Sequence, residues 1–580
     1  MRPPLIDPRE GDVEDDASST RGRSFLAVTG TLVAEISPAK LALAAVVLVV
    51  VPGALLGLTP LLLGGWLATL SGQVASAAGL VAVPVVVVVA AVGWLGGRPL
   101  LRLAERSFWS LNALAVQPGY ALFREALRHG VERVVAKRGS RDELARTRAA
   151  SAAAAGLLAS ALAVAVFVLA WPSTRWIGVP ADLADPLRLI EPALSNTLAL
   201  LSGYLALASL GWGLADATMA QPHGVARFDV PAEGAPRWRV AHLSDLHTVG
   251  GPYEFRLESG RAGPRGNDRL ERALRRLDTC HAARPLDLVL VTGDMTDAGR
   301  STEWAAFLDA LERRPGVRER TLLLPGNHDL NVIDRANPAR LDLPGSPRKQ
   351  LRRLRTLSAM EAVQGERVHV LAADGSGLGS TLAAALAPER AAIRHFAATG
   401  ATPGRGWVAR LWHAAFPLVR PPDRPDGLGV VMLNSNAETH FSFTNALGLV
   451  TAEQARGIAA LARLWPEARW LVALHHHVVE YPRPVATLAA RIGTVLINGS
   501  WFVRELRPLA ERAVVLHGHR HIDWIGACAG VRLVSAPSPV MAPAGAARFN
   551  ILTLAAGAGG RLDLAAPEPV AVDDDEAAPG

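Results

Sequence analysis

Residues 238–247 read WRVAHLSDLH, and this stretch decides the fold of the second half of the chain. An apolar run typical of a buried strand ends there in Asp245 and His247. Carboxylate oxygen and imidazole nitrogen both bind divalent metals. The stretch therefore predicts a strand that delivers metal-binding side chains at its carboxyl end.

Four further stretches repeat this arrangement of an apolar run that ends in metal-binding side chains. Helical segments with leucines at helical spacing separate the first runs, an order typical of an α/β or mixed-sheet domain. Ligands that follow successive strands can meet at one edge of a sheet. The four stretches are LDLVLVTGD (286–294), TLLLPGNHD (321–329), WLVALHHH (470–477) and AVVLHGHRH (513–521).

The five motifs D-x-H, G-D, G-N-H-D, H and G-H-x-H, in this order, resemble those of the calcineurin-like metallophosphoesterase superfamily. The resemblance covers about residues 237–556. It implies an α/β (α+β) fold, a four-layer sandwich of two mixed β-sheets flanked by helices. It also implies a phosphohydrolase with two divalent metal ions.

Carried over by position, the resemblance implies seven metal ligands. The first metal would take Asp245, His247 and His521, and the second Asn327, His519 and one histidine of residues 475–477. Asp294 would bridge the two metals, since a carboxylate has lone pairs for both. Within the triplet, Val478 stands where the family commonly has a proline. Counting back from it favours His476, with His475 as the rival.

His328 and Asp329 are the candidate catalytic residues. We expect His328 to meet the leaving oxygen or hold the phosphate, and Asp329 to orient its imidazole. Two cations about 4 Å apart bind a phosphate from both sides and turn a water into hydroxide near neutral pH. The histidines suit Mn, Fe or Zn better than Mg alone. The expected reaction is hydrolysis of a P–O bond in a phosphodiester or pyrophosphate of a nucleotide or lipid.

The rest of the second half leaves several alternatives open. Residues 340–425 read as an inserted helical segment, either a cap near the site or a peripheral excursion. The arginines of residues 256–269 and 352–355 would contact anionic substrate groups or face solvent. Asp297 is either a turn residue or functional.

The first half predicts an all-α membrane domain at residues 25–220. About 20 apolar residues span the bilayer core of about 30 Å. The stretch 64–75 contains no Arg or Lys, whereas a loop at 98–148 contains eleven basic residues, ten Arg and one Lys, and such loops stay in the cytoplasm. Four crossings would then place the catalytic half on the cytoplasmic face of the cell membrane. The four windows are residues 41–63, 76–96, 150–171 and 193–215.

Composition sets the remaining expectations. Residues 1–24 and 562–580 are polar and predict disordered tails. The net charge is +7, but no basic run interleaved with aromatics occurs, so nucleic acid is not a predicted partner. The two cysteines define neither a disulfide framework nor a zinc site. An alternative to the membrane-anchored enzyme is a membrane sensor or scaffold with a vestigial phosphoesterase domain. The sequence does not indicate an oligomeric state.

Overall fold

The computed structural model divides the chain into two compact units. The helical unit is Ser37–Met219, and the mixed-sheet unit combines Met1–Ile36 with Ala220–Gly580. The residues that the structure describes are 3–15, 46, 50–76, 116–135, 141–179, 182, 186–333, 346–372, 375, 377–404, 406–439, 445–482, 496–543 and 545–572.

Two helices in the described part of the helical unit are long and apolar enough to cross a membrane, Ala145–Ser173 and Leu187–Ala217. They contain the predicted windows 150–171 and 193–215. A shorter apolar helix covers Gly53–Gly65, and the window 76–96 lies outside the described residues after its first position. Four spans are therefore not supported. The helices are α1 (Val51–Ser76), α2 (Gln117–Val135), α3 (Arg141–Ala170) and α4 (Ile190–Ala217).

Small residues let α3 and α4 pack closely in the helical unit. A Cβ atom added to Gly213 would lie 2.7 Å from the Cα atom of Gly156. Polar side chains connect α4 to α1, since Asn196 donates to the carbonyl of Gly57 at 3.1 Å. Near the end of α4, Asp216 accepts from Arg124 of α2 at 2.6 Å. The basic segment of α2 therefore lies beside the end of α4 that leads towards residue 220.

The mixed-sheet unit contains two mixed sheets with helices, as predicted. One sheet has nine strands in the order β1-β11-β12-β10-β9-β8-β7-β5-β6; the other has the order β14-β13-β2-β3-β4, with β15 beside β13. The strands are β1 (His223–Gly224), β2 (Arg237–Leu243), β3 (Leu288–Val291), β4 (Thr321–Leu323), β5 (His369–Leu371), β6 (Leu378–Thr381), β7 (Leu418–Arg420), β8 (Leu428–Met432), β9 (Arg469–Ala473), β10 (Ala513–His517), β11 (Trp524–Cys528), β12 (Val531–Ser535), β13 (Arg548–Ala556), β14 (Leu562–Leu564) and β15 (Glu568–Ala571).

Parallel pairing explains why the metal-binding side chains meet. Strands β2, β3 and β4 are parallel neighbours, and so are β8, β9 and β10. Their apolar side chains are buried in a common core, and the chain turns polar where each strand ends. The helices of this unit are α5 (Asp268–Ala283), α6 (Ser301–Glu312), α7 (Pro315–Arg318), α8 (Asn327–Leu330), α9 (Pro347–Gln364), α10 (Leu382–Leu386), α11 (Arg390–Thr399), α12 (Trp407–Ala415), α13 (Ala452–Leu464) and α14 (Gly499–Leu506).

The predicted insert at 340–425 is part of the fold rather than a separate cap. Strands β5, β6 and β7 extend the nine-stranded sheet at one edge. Helix α9 is buried, and its Leu354 and Leu357 belong to the main core. The polar composition of α9 hides this role, because three of its arginines, Arg352, Arg353 and Arg355, are buried.

Parts of both predicted tails are ordered. Leu5 and Ile6 are buried in the core, whereas residues 16–24 lie outside the described part. At the other end, β14 and β15 pair with β13, and residues 573–580 are not described. The N-terminal segment finds its partners far away in the chain, since Ile6 bonds Ser358, whereas β14 and β15 pair with the neighbouring strand β13; local composition reveals neither pairing.

Candidate metal centre

The loops after the strands hold unusual backbone conformations. Six non-glycine residues in the described part of the chain have positive φ, and five of them lie in these loops. Such conformations cost free energy and persist where the surrounding structure holds them, often at functional sites. The five residues are Asp245 (57°), His247 (42°), Asp294 (53°), His519 (73°) and His521 (52°).

Asp245, His247 and His521 form the first candidate ligand group. The Nε2 atoms of His247 and His521 are 3.3 Å apart, and Nε2 of His521 lies 3.4 Å from Oδ1 of Asp245. The backbone N–H of His519 donates to Oδ2 of Asp245 at 2.9 Å, which ties the first and last loops together. This group matches the predicted first metal site.

A second group forms around His475. Its Nε2 atom lies 3.0 Å from Oδ1 of Asn327, 3.1 Å from Nδ1 of His519 and 3.2 Å from Oδ2 of Asp294. Asp294 also faces the first group, because the same Oδ2 atom lies 3.9 Å from Nε2 of His247. Its carboxylate therefore stands between the two groups, as a bridging ligand must.

The geometry corrects the choice within the histidine triplet in favour of His475. Nδ1 of His476 lies 2.9 Å from the hydroxyl oxygen of Ser435, away from Asp294. His477 contacts Glu480 at 3.2 Å and is a neighbour of the site. His475 alone of the three occurs in a candidate ligand group of the described residues.

Close backbone approach explains the glycines of the motifs. A Cβ atom at position 326 would lie 2.1 Å from Oδ1 of Asp294, and one at position 518 would lie 1.8 Å from Oγ of Ser244. Only glycine fits at either position without displacing these atoms. Gly326 and Gly518 therefore allow the loops to converge on the site.

The second group fits a cation. Nδ1 of His475 lies 2.8 Å from the carbonyl oxygen of Thr292, so this nitrogen carries the proton that it donates. The lone pair of Nε2 then points at oxygens of Asn327 and Asp294, which also present lone pairs. Burial lowers the pKa of His475, but the charge of Asp294 outweighs it and raises the pKa to about 9. The carboxylate therefore favours a positive charge where these atoms meet, either a proton on Nε2 or a metal ion, and nitrogen and oxygen donors suit a divalent metal.

His328, the candidate catalytic residue, lies beside the first group. Its ring centroid is 4.5 Å from that of His247. Nδ1 donates to the carbonyl of Asp297 at 2.7 Å, which leaves Nε2 directed at Glu258 Oε1, 3.6 Å away. Burial lowers the pKa of His328, whereas Asp294 and Glu258 raise it, to about 10.

The role predicted for Asp329 is wrong. Its carboxylate accepts from the backbone and hydroxyl of Thr296 at 2.9 and 2.7 Å and from the N–H of Gly326 at 2.9 Å. The Asp297 carbonyl, not Asp329, orients the His328 imidazole. Asp329 instead joins two loops of the site, because a carboxylate can accept several N–H and O–H bonds at once.

Two further carboxylates lie near the site: Asp297, for which the sequence left a turn and a functional role open, and Glu258, which was not predicted. Oδ1 of Asp297 lies 3.2 Å from Nδ1 of His247, and Oδ2 accepts from the N–H of Leu257 at 2.7 Å. Asp297 thus fixes the ring of a candidate ligand, and its place in G-D-x-x-D was the available signal. Glu258 also lies 3.8 Å from Nδ1 of His521. It comes from an irregular loop, where no sequence pattern marks it.

Two of the arginines considered for substrate contact, Arg256 and Arg352, have structural roles. Arg256 is buried and donates to the carbonyls of Pro264 and Gly266 at 2.9 and 2.8 Å. Arg352 donates to the carbonyl of Asn331 at 2.6 Å. A guanidinium group offers five donors and can satisfy several carbonyls of irregular loops at once.

The part of the chain that contains this site also matches a known protein family. Residues 239–523 match the calcineurin-like phosphoesterase family. The chain contains a calcineurin-like phosphoesterase domain. This domain spans all five motifs, and it is that of a metal-dependent phosphohydrolase. A search of the curated proteins finds no match.

Three solved structures show the range of similar proteins. A dimetal phosphatase from Danio rerio is 12% identical, with a TM-score of 0.33, over 58% of this chain and 99% of its own. The NAD nucleotidase of Haemophilus influenzae is 11% identical, with a TM-score of 0.28, over 58% and 56%. A purple acid phosphatase from yellow lupin is 11% identical, with a TM-score of 0.25, over 57% and 51%. The chain thus spans about half of the latter two.

Proposed function

We propose that the protein is a membrane-anchored phosphohydrolase with a dinuclear metal site. Its substrate would be a phosphodiester or pyrophosphate of a nucleotide or lipid. The observation that carries the proposal is the Asp294 carboxylate between two groups of buried imidazole, amide and carboxylate donors. A carboxylate in this position can bind two metal ions at once, as a two-metal hydrolytic site requires.

The chain's own residues would divide the work as follows. Asp245, His247 and His521 would hold one metal, and Asn327, His475 and His519 the other, with Asp294 shared. Two divalent ions, Mn, Fe or Zn, would supply the charge that binds a phosphate and acidifies a water. His328 would hold a phosphate oxygen or protonate the leaving oxygen from Nε2, because its Nδ1 is committed to the Asp297 carbonyl.

Exposed apolar side chains on α3 and α4 support the membrane anchor. The core helix of a soluble protein is mostly buried, but only 22% and 33% of the two apolar windows are buried. Leu169 and Leu207 are 81% and 76% exposed. Such surfaces are rare in water and normal in lipid.

The basic residues of α2 support a cytoplasmic catalytic domain. Arg124 and Arg128 lie near the end of α4 that leads to residue 220, because Arg124 pairs with Asp216 and Arg128 with Glu125. Basic residues next to membrane helices remain on the cytoplasmic side. The chain after residue 220 would then start on that side.

The test uses the full-length chain in detergent with Mn²⁺ and bis-p-nitrophenyl phosphate. The wild type is expected to hydrolyse this diester, and Asp294→Ala to lose the activity. The matched control is Asp278→Ala, a carboxylate exposed on α5, which should leave the rate unchanged. A wild-type chain that binds metal without hydrolysing any of a panel of mono-, di- and pyrophosphate esters would favour the sensor or scaffold instead.

A further inference from the structure

The N-terminal segment, residues 3–15, is built into the mixed-sheet unit. Leu5 and Ile6 are only 2% and 5% exposed and pack in its core. The backbone of Ile6 is held from both sides by one side chain, since its N–H donates to Oγ of Ser358 at 2.8 Å and its carbonyl accepts from that hydroxyl at 3.2 Å. The N–H of Val13 donates to the carbonyl of Ala397 in α11 at 2.9 Å. The segment therefore packs on α9 and α11 like an element of the fold.

The acidic residues of this segment pair with the arginines of α9. Asp12 accepts from the guanidinium of Arg355, and both side chains are almost fully buried. Glu14 accepts from Arg355 at 2.7 Å and lies 3.6 Å from Arg352. Burial raises the pKa of Glu14, but the two arginines outweigh it and lower the pKa. Buried arginines without these carboxylates would lose most of their compensation.

The same contacts reach the loop that carries Asp297. Arg355 donates to the carbonyl of Gly299 at 3.0 Å, and Asp15 accepts from the hydroxyl of Ser301 at 2.5 Å. The segment is thus held by α9, by α11 and by the start of α6. Because three elements of the mixed-sheet unit contact the segment, its position depends on the fold of that unit.

From this docking we infer that the chain between Asp15 and Ala220 crosses the membrane an even number of times. The inference rests on the membrane anchor of the proposed function. Both ends of that stretch belong to one folded unit, and a folded unit lies on one side of a bilayer. An odd number of crossings would place residues 3–15 opposite their partners and would deprive Arg355 of the carboxylates of Asp12 and Glu14.

The inference restricts the predicted spans. If α3 and α4 each cross once, the windows 41–63 and 76–96 must cross together or not at all. A chain with three crossings is excluded.

Labelling of single cysteines in the full-length chain with a membrane-impermeant maleimide tests the inference. The background is Cys280→Ser, since Cys528 is buried. Reporters are Glu10→Cys in the segment, Glu467→Cys in the mixed-sheet unit and Ile177→Cys in the link between α3 and α4; the native residues are exposed. We expect positions 10 and 467 to react from one side of sealed vesicles and position 177 from the other.

Each of the other labelling outcomes contradicts one part of this topology. Positions 10 and 467 on opposite sides would overturn the even number. Position 177 on the same side as both would show that α3 and α4 do not span, whereas release of the chain by carbonate would remove the membrane anchor and the inference together. Diester hydrolysis, measured on the same vesicles, reports on the enzymatic part of the proposed function independently of sidedness.

A second measurement tests the docking itself. Leu5→Cys should react at least about tenfold more slowly than Glu10→Cys, because it reacts only when the segment opens. Adding Asp12→Asn and Glu14→Gln should remove most of this protection, whereas Glu10→Gln, which alters an exposed carboxylate, should not. Equal reaction rates of Leu5→Cys and Glu10→Cys, with Asp12 and Glu14 intact, would show that the segment is not docked and would overturn the inference.

Discussion

Replacing His475 and His476 one at a time separates a metal ligand from its neighbour. Both side chains are fully buried, so each change to alanine removes the same atoms from equally enclosed positions and should cost similar packing free energy. Only His475 directs a nitrogen at Asp294, Asn327 and His519, with all three distances at or below 3.2 Å. His475→Ala therefore removes one of the four donors of the second group.

The expected loss of metal affinity is estimated from substitutions that remove less than a ligand. Loss of a residue that only orients a ligand costs about 10–100-fold in metal affinity. Loss of the ligand itself should cost at least about 100-fold, or about 2.7 kcal/mol. His476→Ala removes the bond with Ser435 and should change affinity less than about tenfold.

Metal content after dialysis against buffered free Mn²⁺ gives the assay, with thermal unfolding as the control for folding. We expect His475→Ala to retain one tightly bound ion per chain and His476→Ala to retain two. The two variants should melt at similar temperatures without metal. The assignment of His475 as the ligand is refuted if His476→Ala retains only one ion per chain and His475→Ala retains two.

Three further predictions concern other parts of the chain. Asp297→Asn, which weakens the hold on His247, should lower the apparent affinity for Mn²⁺ in the activity assay about 10–100-fold, whereas Asp278→Asn should not. Burial raises the pKa of Glu303 from 4.5 to about 7, so the folded state favours the protonated acid, and stability should fall by about 3 kcal/mol as pH rises from about 4.5 to 7, then level off. Melting of Glu303→Gln should lack this pH dependence, and an unchanged profile would rule out Glu303 as its source. Gly213→Ala should lower the melting temperature of the helical unit because its Cβ meets Gly156, whereas Gly211→Ala has open space; equal effects would contradict the close packing.

The sequence predicted the strands and the loops of the site well. Each ligand follows an apolar run, and parallel pairing brings such strand ends together. The choice between His475 and His476 failed for a physical reason: the two residues lie in the bend after β9, where neighbouring side chains contact different groups. His475 faces Asn327 and Asp294, whereas His476 contacts Ser435. The family's proline, which would have fixed the count, is replaced here by Val478.

Contacts between residues that are far apart in the chain account for features that the sequence did not predict. Asp12 meets Arg355 across more than half of the chain, and no local pattern reports such a pair. Glu258 likewise acquires its place near His328 only through the path of an irregular loop. The Asp329 carboxylate was assigned to the nearest imidazole in sequence, but hydrogen bonds to Thr296 and Gly326 satisfy it instead.

Anomalous diffraction from crystals of the full-length chain grown with Mn²⁺ tests the central claim most directly. We expect two peaks per chain, about 4 Å apart, on either side of the Asp294 carboxylate. His475 should lie beside the peak of the second ligand group. A single peak, or two peaks that do not share Asp294, would contradict it.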